Sequence, residues 1–227
     1  MTHDGRRHAI LAIDTATTRV VIATGSPDGI ADGASTWVAG HRHGETLLPS
    51  IGRFLGEQNI RRSRLTGIVV GTGPGAFTGL RVGIATAKGL AHGLRIPLVG
   101  ISTAEALIAA AATPDGAPIV LLVPAGPSDR IVVRHGEAPR LLPGGIDPEL
   151  ASGERLVAID LVDRAPAEAL AAGELARAGL GAALLAAGAA ALGSGGSALE
   201  TLVPEYVTLP RGARAATGTV AWSRDPR

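Results

Sequence analysis

The chain has 227 residues and a mass of 22.7 kDa, enough for one large domain or two lobes around a real core, since domains commonly run to about 100–200 residues, and a small stapled scaffold is excluded. With no cysteine, a disulfide framework, a thiolate zinc site, an iron–sulfur cluster and a cysteine nucleophile are excluded together. Charges nearly cancel, 21 basic against 20 acidic residues for a net charge of +1, and the aromatic residues are only Phe54, Phe77, Trp37, Trp222 and Tyr206, which disfavours an autonomous polyanion grip and a base-stacking platform.

The first residues, Met1 to His8, are polar and basic, and the apolar stretch behind them is interrupted by Asp14. No signal peptide is readable, and the expected compartment is the cytoplasm. His8 to Ile13, Val20 to Thr24 and Ile30 to Val38 are β-rich runs split by Thr15-Ala16-Thr17-Thr18 and Ser26-Pro27-Asp28-Gly29, which predicts an antiparallel meander. Asp14, followed by Thr15, leaves the first run into a turn. An aspartate there can hold a metal-bound water or sit beside a phosphate, or it can close an Asx turn. His41-Arg42-His43-Gly44-Glu45 offers two histidines two residues apart without a third ligand, a weak metal pattern that reads better as polar helix entry.

Leu47, Leu48, Ile51, Phe54 and Leu55 recur at helical spacing across Glu45 to Gln58, with Pro49 in the first turn. Gly67 to Val70 reads as a buried strand. The glycine-rich loop Gly71-Thr72-Gly73-Pro74-Gly75-Ala76-Phe77 follows, and Thr78 to Gly93 reads as a second helix. Glycines and free amides at a helix start can cradle a phosphate; the same residues also serve a tight strand-to-helix turn with Thr78 as N-cap. Lys88, the only lysine, lies well inside the helix, so no Walker pattern exists. Gly79, Gly83, Ala87 and Ala91 recur every four residues and place small side chains along one stripe. Such a stripe either packs the chain's own core or meets a partner helix.

Pro97 to Gly100 predicts another strand, and Ser102 to Ala112 a third helix with Ser102 and Glu105 as a capping box. Breakers accumulate over Thr113-Pro114-Asp115-Gly116-Ala117-Pro118, dividing residues 1–112 from a second lobe over 113–210. Strands are expected at Ile119 to Val123, Arg130 to Arg134, Pro139 to Leu142 and Leu156 to Leu161, and a long alanine-rich helix at Ala165 to Ala190. The uncharged run Ala178 to Leu199 is long enough to span a bilayer by count, but its glycine and serine content favours a buried or half-buried helix of a soluble protein. The tail 211–227 lacks periodicity and is expected to be partly disordered. There is no G-x-S-x-G, no H-E-x-x-H and no serine–histidine–aspartate set, hence no nameable nucleophile.

Four segments together resemble a known family: Ile10-Leu11-Ala12-Ile13-Asp14-Thr15-Ala16-Thr17; His43-Gly44-Glu45 to Leu47-Leu48-Pro49; Gly73-Pro74-Gly75-Ala76-Phe77-Thr78-Gly79-Leu80-Arg81-Val82-Gly83; and Gly89-Leu90-Ala91 to Ile101-Ser102-Thr103. The family is TsaB, also called YeaZ, the dimerisation subunit of the bacterial machinery that installs N6-threonylcarbamoyladenosine at position 37 of tRNA. The likeness is dense over residues 8–110, thin over 113–195, and returns at Pro204-Glu205-Tyr206-Val207. It implies a two-lobed α/β fold of the actin, sugar kinase and Hsp70 ATPase type, with mixed sheets flanked by helices. It also implies a scaffold that pairs with the catalytic homologue TsaD and the ATPase TsaE, forms a homodimer when alone, and reaches tRNA only through the complex.

On this resemblance the partner interface is expected at Thr78, Gly79, Arg81, Gly83, Ala87 and Ala91, so that Gly83→Leu would abolish assembly and leave the fold intact. Catalytic and metal residues are expected to be absent, because Gly100-Ile101-Ser102-Thr103-Ala104-Glu105 lacks the histidine pair that binds metal in the catalytic homologue. Asp14 and Thr15 form a degenerate phosphate loop without its glycine, so ATP and metal belong to the partner subunits. Where relatives carry Asp-Ala-Arg, this chain has Pro124-Ala125-Gly126, with Asp129 as the nearby acid. The competing reading is an autonomous small kinase or metallopeptidase-like enzyme of the same superfold.

Overall fold

A computed structural model of the chain describes residues 8–38, 43–196, 199 and 201–207. The meander forms as predicted: β1 (Ala9–Asp14), β2 (Arg19–Gly25) and β3 (Ala31–Val38) pair antiparallel, with Ile13 opposite Ile22 and Ala23 opposite Ala34. On its other side β1 accepts β4 (Leu65–Gly71) in parallel, and β4 accepts β5 (Leu98–Ile101) in parallel, giving the order β3-β2-β1-β4-β5. A parallel neighbour requires a crossover. α1 (His43–Glu57) and α2 (Phe77–Leu94) supply the two crossovers, and α3 (Thr103–Ala111) leads out. Every residue of β1 is buried, as a central strand covered on both faces must be.

The breakers at Thr113 to Pro118 separate this sheet from a second. β6 (Ile119–Ala125), β7 (Asp129–Arg134), β8 (Arg140–Leu142) and β9 (Arg155–Ala158) run in the order β8-β7-β6-β9, with β6 and β9 parallel. α4 (Ala167–Gly193) follows β9.

The layers follow from side-chain alternation. Leu11, Ile13, Ile22, Ile68 and Val70 face α1 and α2, where they meet Leu47, Ile51, Phe54 and Ile84. Ile10, Ala12, Val21 and Val69 face the opposite way, onto α4. Leu121, Val123, Ile131 and Val133 of the second sheet reach α3 and α4 from the far side, around Leu180, Leu184 and Leu185. Burying each such leucine or isoleucine contributes about 1.5–3 kcal/mol. The outer face of the second sheet, Val120, Leu122 and Val132, is closed by Leu161, Ala169 and half-buried leucines.

α4 is thus shared between the sheets, which accounts for its composition. A Cβ on Gly173 would sit 1.9 Å from the Ala158 carbonyl oxygen of β9, and one on Gly188 2.2 Å from Val69 of β4. Small residues let one helix approach both sheets closely. Among the described helices it is the one long and apolar enough to cross a membrane; Leu180, Leu184 and Leu185 are buried within the chain, while Leu175 is exposed.

Several local expectations need correction. α1 begins at His43, so Pro49 lies in the second turn, where a proline supplies no N–H to the helix ladder. α2 begins at Phe77 with Ala76 in the cap position and no side-chain cap, so Thr78 is not the N-cap. Only half of the capping box forms: Ser102 Oγ accepts from Glu105 N at 3.5 Å, but the Glu105 carboxylate turns to His135 Nδ1 and Gly136 N. β9 stops at Ala158 rather than Leu161 because Asp160 adopts φ +56°. In that conformation its carboxylate accepts from Thr18 N at 2.7 Å, Thr18 Oγ1 at 2.6 Å and Arg177 Nη2 at 2.8 Å, tying the β1–β2 turn to the second lobe. The tail 211–227 lies outside the described residues.

Candidate functional site

The parallel pairing of β1 with β4 brings Asp14 beside Gly71 and the glycine loop. Asp14 is fully buried. Its Oδ1 accepts from Ala16 N at 2.9 Å and its Oδ2 from Thr103 Oγ1 at 2.6 Å; Thr103 Oγ1 in turn accepts from Gly73 N at 3.1 Å. Burial pushes the carboxyl above its ordinary range, and the bonds from Thr103 and Ala16 oppose that. The bond from Ala16 N closes an Asx-type turn. A Cβ on Gly71 would lie 1.8 Å from Asp14 Oδ2, so the glycine is needed for this carboxylate, not for a ligand.

The rest of the loop is consumed in the same way. Ala76 N donates to Ala16 O at 2.7 Å, and Thr15 Oγ1 donates to Gly79 O at 2.7 Å. A Cβ on Gly75 would sit 2.2 Å from Ala16 O. Asp14 and Thr15 are inaccessible, and Ala16 and Thr17 nearly so. Ala16 N, Gly73 N and Ala76 N are thus bonded within the chain, and the Asp14 carboxylate is sealed behind them, an arrangement that does not fit a triphosphate at Asp14.

Residues 201–207 return over this loop as a strap. Leu202 is buried against the first sheet, and Glu205 N donates to Thr72 O at 2.8 Å. Ser102 Oγ donates to Gly73 O at 3.1 Å and to Glu205 Oε2 at 3.2 Å. Burial, with repulsion from Glu105 behind it, raises the Glu205 carboxyl above its usual range, and the Ser102 bond opposes this. The Tyr206 ring lies 5.1 Å from Phe77, Arg81 stacks 3.8 Å above Phe77, and Arg81 Nε donates to Tyr206 Oη at 3.0 Å. Of the expected interface residues, Arg81 is therefore exposed but engaged within the chain.

The small-residue stripe faces inward, which corrects the interface expectation. Gly79, Gly83, Ala87 and Ala91 are all buried against the chain's own sheet. A Cβ on Gly83 would fall 2.1 Å from Thr15 Oγ1, so Gly83→Leu would strike the fold itself. The outward face of α2 carries Thr78, Ala85, Gly89 and Gly93, with nothing within 4 Å of a Cβ on Gly89 or Gly93. Beside it, α1 and α2 bound a groove of about 450 Å³ lined by Leu48, Ile51, Leu55, Leu65, Leu90 and Leu94. Leu48 is 53% exposed. The sequence reading missed this face. The signal was Leu80 and Ile84, whose burial turns the neighbouring stripe inward.

In the second lobe, Asp129 is spent locally, its Oδ1 accepting from Gly144 N at 3.1 Å and Ser128 Oγ at 3.3 Å. Among the described residues, no three histidine, aspartate or glutamate side chains are placed to hold a metal ion. His41, Arg42 and the His43 side chain lie outside the described residues.

Residues 33–186, more than half of the chain, match the family described as "TsaD: tRNA N6-adenosine threonylcarbamoyltransferase". The tRNA threonylcarbamoyladenosine biosynthesis protein TsaB of Escherichia coli is 36% identical over 112 residues, covering 49% of this chain and 48% of that protein. The protein of the same name from Bacillus subtilis is 35% identical over 100 residues, covering 44% and 43%. These alignments span less than half the length of the curated relatives. YeaZ from Pseudomonas aeruginosa superposes with a TM-score of 0.65 at 24% identity, over 88% of this chain and all of that one.

Proposed function

The chain belongs to the family described as TsaD, tRNA N6-adenosine threonylcarbamoyltransferase, and from that premise we propose that it is a non-catalytic scaffold subunit on the family's TsaB/YeaZ branch. In this reading it pairs with a TsaD-like catalytic subunit and a TsaE-like ATPase for threonylcarbamoyl transfer to adenosine 37 of tRNA, and pairs with itself when alone. It works in the cytoplasm and meets tRNA only within the assembly. It holds no ATP or metal of its own.

The observation that carries the proposal is the outward surface of α1 and α2. Small residues on α2 permit close helix approach, and an apolar groove open to solvent lies directly beside them. The internally spent Asp14, Thr15 and glycine loop support a scaffold over an autonomous kinase or metallopeptidase-like enzyme, a reading that no observation favours.

The test is co-purification with a TsaD-like subunit, followed by reconstitution of tRNA modification with and without this chain. Gly89→Leu is expected to keep the melting temperature and lose at least tenfold in partner affinity. Unchanged affinity in that variant would remove the interface assignment. Stoichiometric binding of ATP–magnesium by the isolated chain would remove the scaffold reading.

A further inference from the structure

We infer that the second lobe binds a small molecule with an oxyanion head, a phosphate or a carboxylate. The site is the cavity where the β6–β7 turn, the loop after β8 and the start of α4 meet. It is an open pocket of about 390 Å³ lined by Ser128, Arg130, Asp147, Asp163, Arg164 and Pro166. It is separate from both the glycine loop and the α1–α2 surface, and it goes beyond the scaffold role.

Arg130 is the first reason. Its side chain is 5% exposed. Nη1 donates to Arg164 O at 3.0 Å and Nη2 donates to Ile146 O. Its carboxylate partner, Asp147, stands 3.6 Å away and is 91% exposed, beyond hydrogen-bond length and within reach of solvent screening. A guanidinium taken out of water needs a well-bonded anion to offset its lost hydration. Neutral carbonyls and a distant, solvated carboxylate offset it only in part.

Arg164 is the second reason. Its Nη1 is shared between Gly126 O and Pro127 O, each at 3.0 Å. Among the described residues its Nε and Nη2 make no hydrogen bond, so a second guanidinium with free donors reaches the same cavity. Beside it α4 starts with Pro166 in the cap position and no side-chain cap. The first N–H groups of a long helix have no helical partner and carry a positive end charge. Arginine forks match phosphate and carboxylate oxygens in geometry. Asp147 and Asp163 are exposed at the rim and compete with a bound oxyanion for the two guanidinium groups.

The full chain is titrated at constant ionic strength with inorganic phosphate, followed by 31P line broadening, and separately with acetate, followed by its methyl signal. Saturable binding of either probe is expected and identifies the head group. Arg164→Gln is expected to weaken binding at least tenfold. Asp147→Asn, which removes a competing carboxylate, is expected to tighten it severalfold, an effect that loss of structure cannot mimic. Circular dichroism and melting temperature check both variants. Saturation by neither probe, equal affinity in Arg164→Gln, or weaker binding in Asp147→Asn would overturn the inference.

Discussion

Replacing Gly83 by alanine tests the inward assignment of the α2 stripe most directly. The new Cβ would lie 2.1 Å from Thr15 Oγ1 and 3.2 Å from Thr15 Cβ. Thr15 is inaccessible, and its hydroxyl is bonded to Gly79 O. Overpacking a core costs about 1–3 kcal/mol, and a displaced, unsatisfied hydroxyl about 1–3 kcal/mol more. Helix propensity returns about 1 kcal/mol for Gly→Ala. The expected outcome is a net loss of about 2–4 kcal/mol in urea unfolding followed by circular dichroism, a fall of about 5–15 °C in melting temperature at this size. Thr15→Ala clears the space, so the double variant is expected within about 1 kcal/mol of Thr15→Ala alone. An unchanged or raised stability in Gly83→Ala, or strict additivity in the double variant, would refute the contact.

Three further outcomes follow from the same geometry. Gly89→Ala meets nothing within 4 Å and is expected to raise stability by about 0.5–1 kcal/mol in the same assay. The folded-state value of Asp14 lies above its unfolded one. Its contribution to stability is therefore full below the unfolded carboxylate range and is lost as pH rises through the folded value. The stability of Asp14→Asn relative to the parent should accordingly grow as pH rises above the ordinary aspartate range of about 4, and a pH-independent difference would contradict this. Tyr206→Ala removes a ring pair and the Arg81 bond, so it is expected to cost about 1 kcal/mol and to speed amide exchange selectively over residues 201–207.

Period and spacing carried most of the fold. The meander, the two crossover helices, the break before residue 119 and the long α4 are all local patterns, whose ends moved by a few residues, and at the end of β9 a single residue decided the matter. Asp160 is such a residue, since its left-handed conformation serves partners 142 and 17 positions away. The strap was not legible as a contact for the same reason: Ser102 meets Glu205 across 103 positions and Arg81 meets Tyr206 across 125. The orientation of α2 was ambiguous because both of its faces carry small residues. Leu80 and Ile84, set between Gly79, Gly83 and Ala87, are what turn one face inward.

The sharing of α4 between the two sheets has a bearing on how the chain is made. During synthesis the first sheet and its outer helices are complete by residue 112, yet Ile10, Ala12, Val21 and Val69 stay uncovered until a helix more than fifty residues downstream emerges from the ribosome. A nascent chain halted before α4 therefore displays a bare apolar sheet face, the kind of surface that recruits chaperones or seeds aggregation. The N-terminal lobe, though contiguous in sequence, is completed only once α4 has been made.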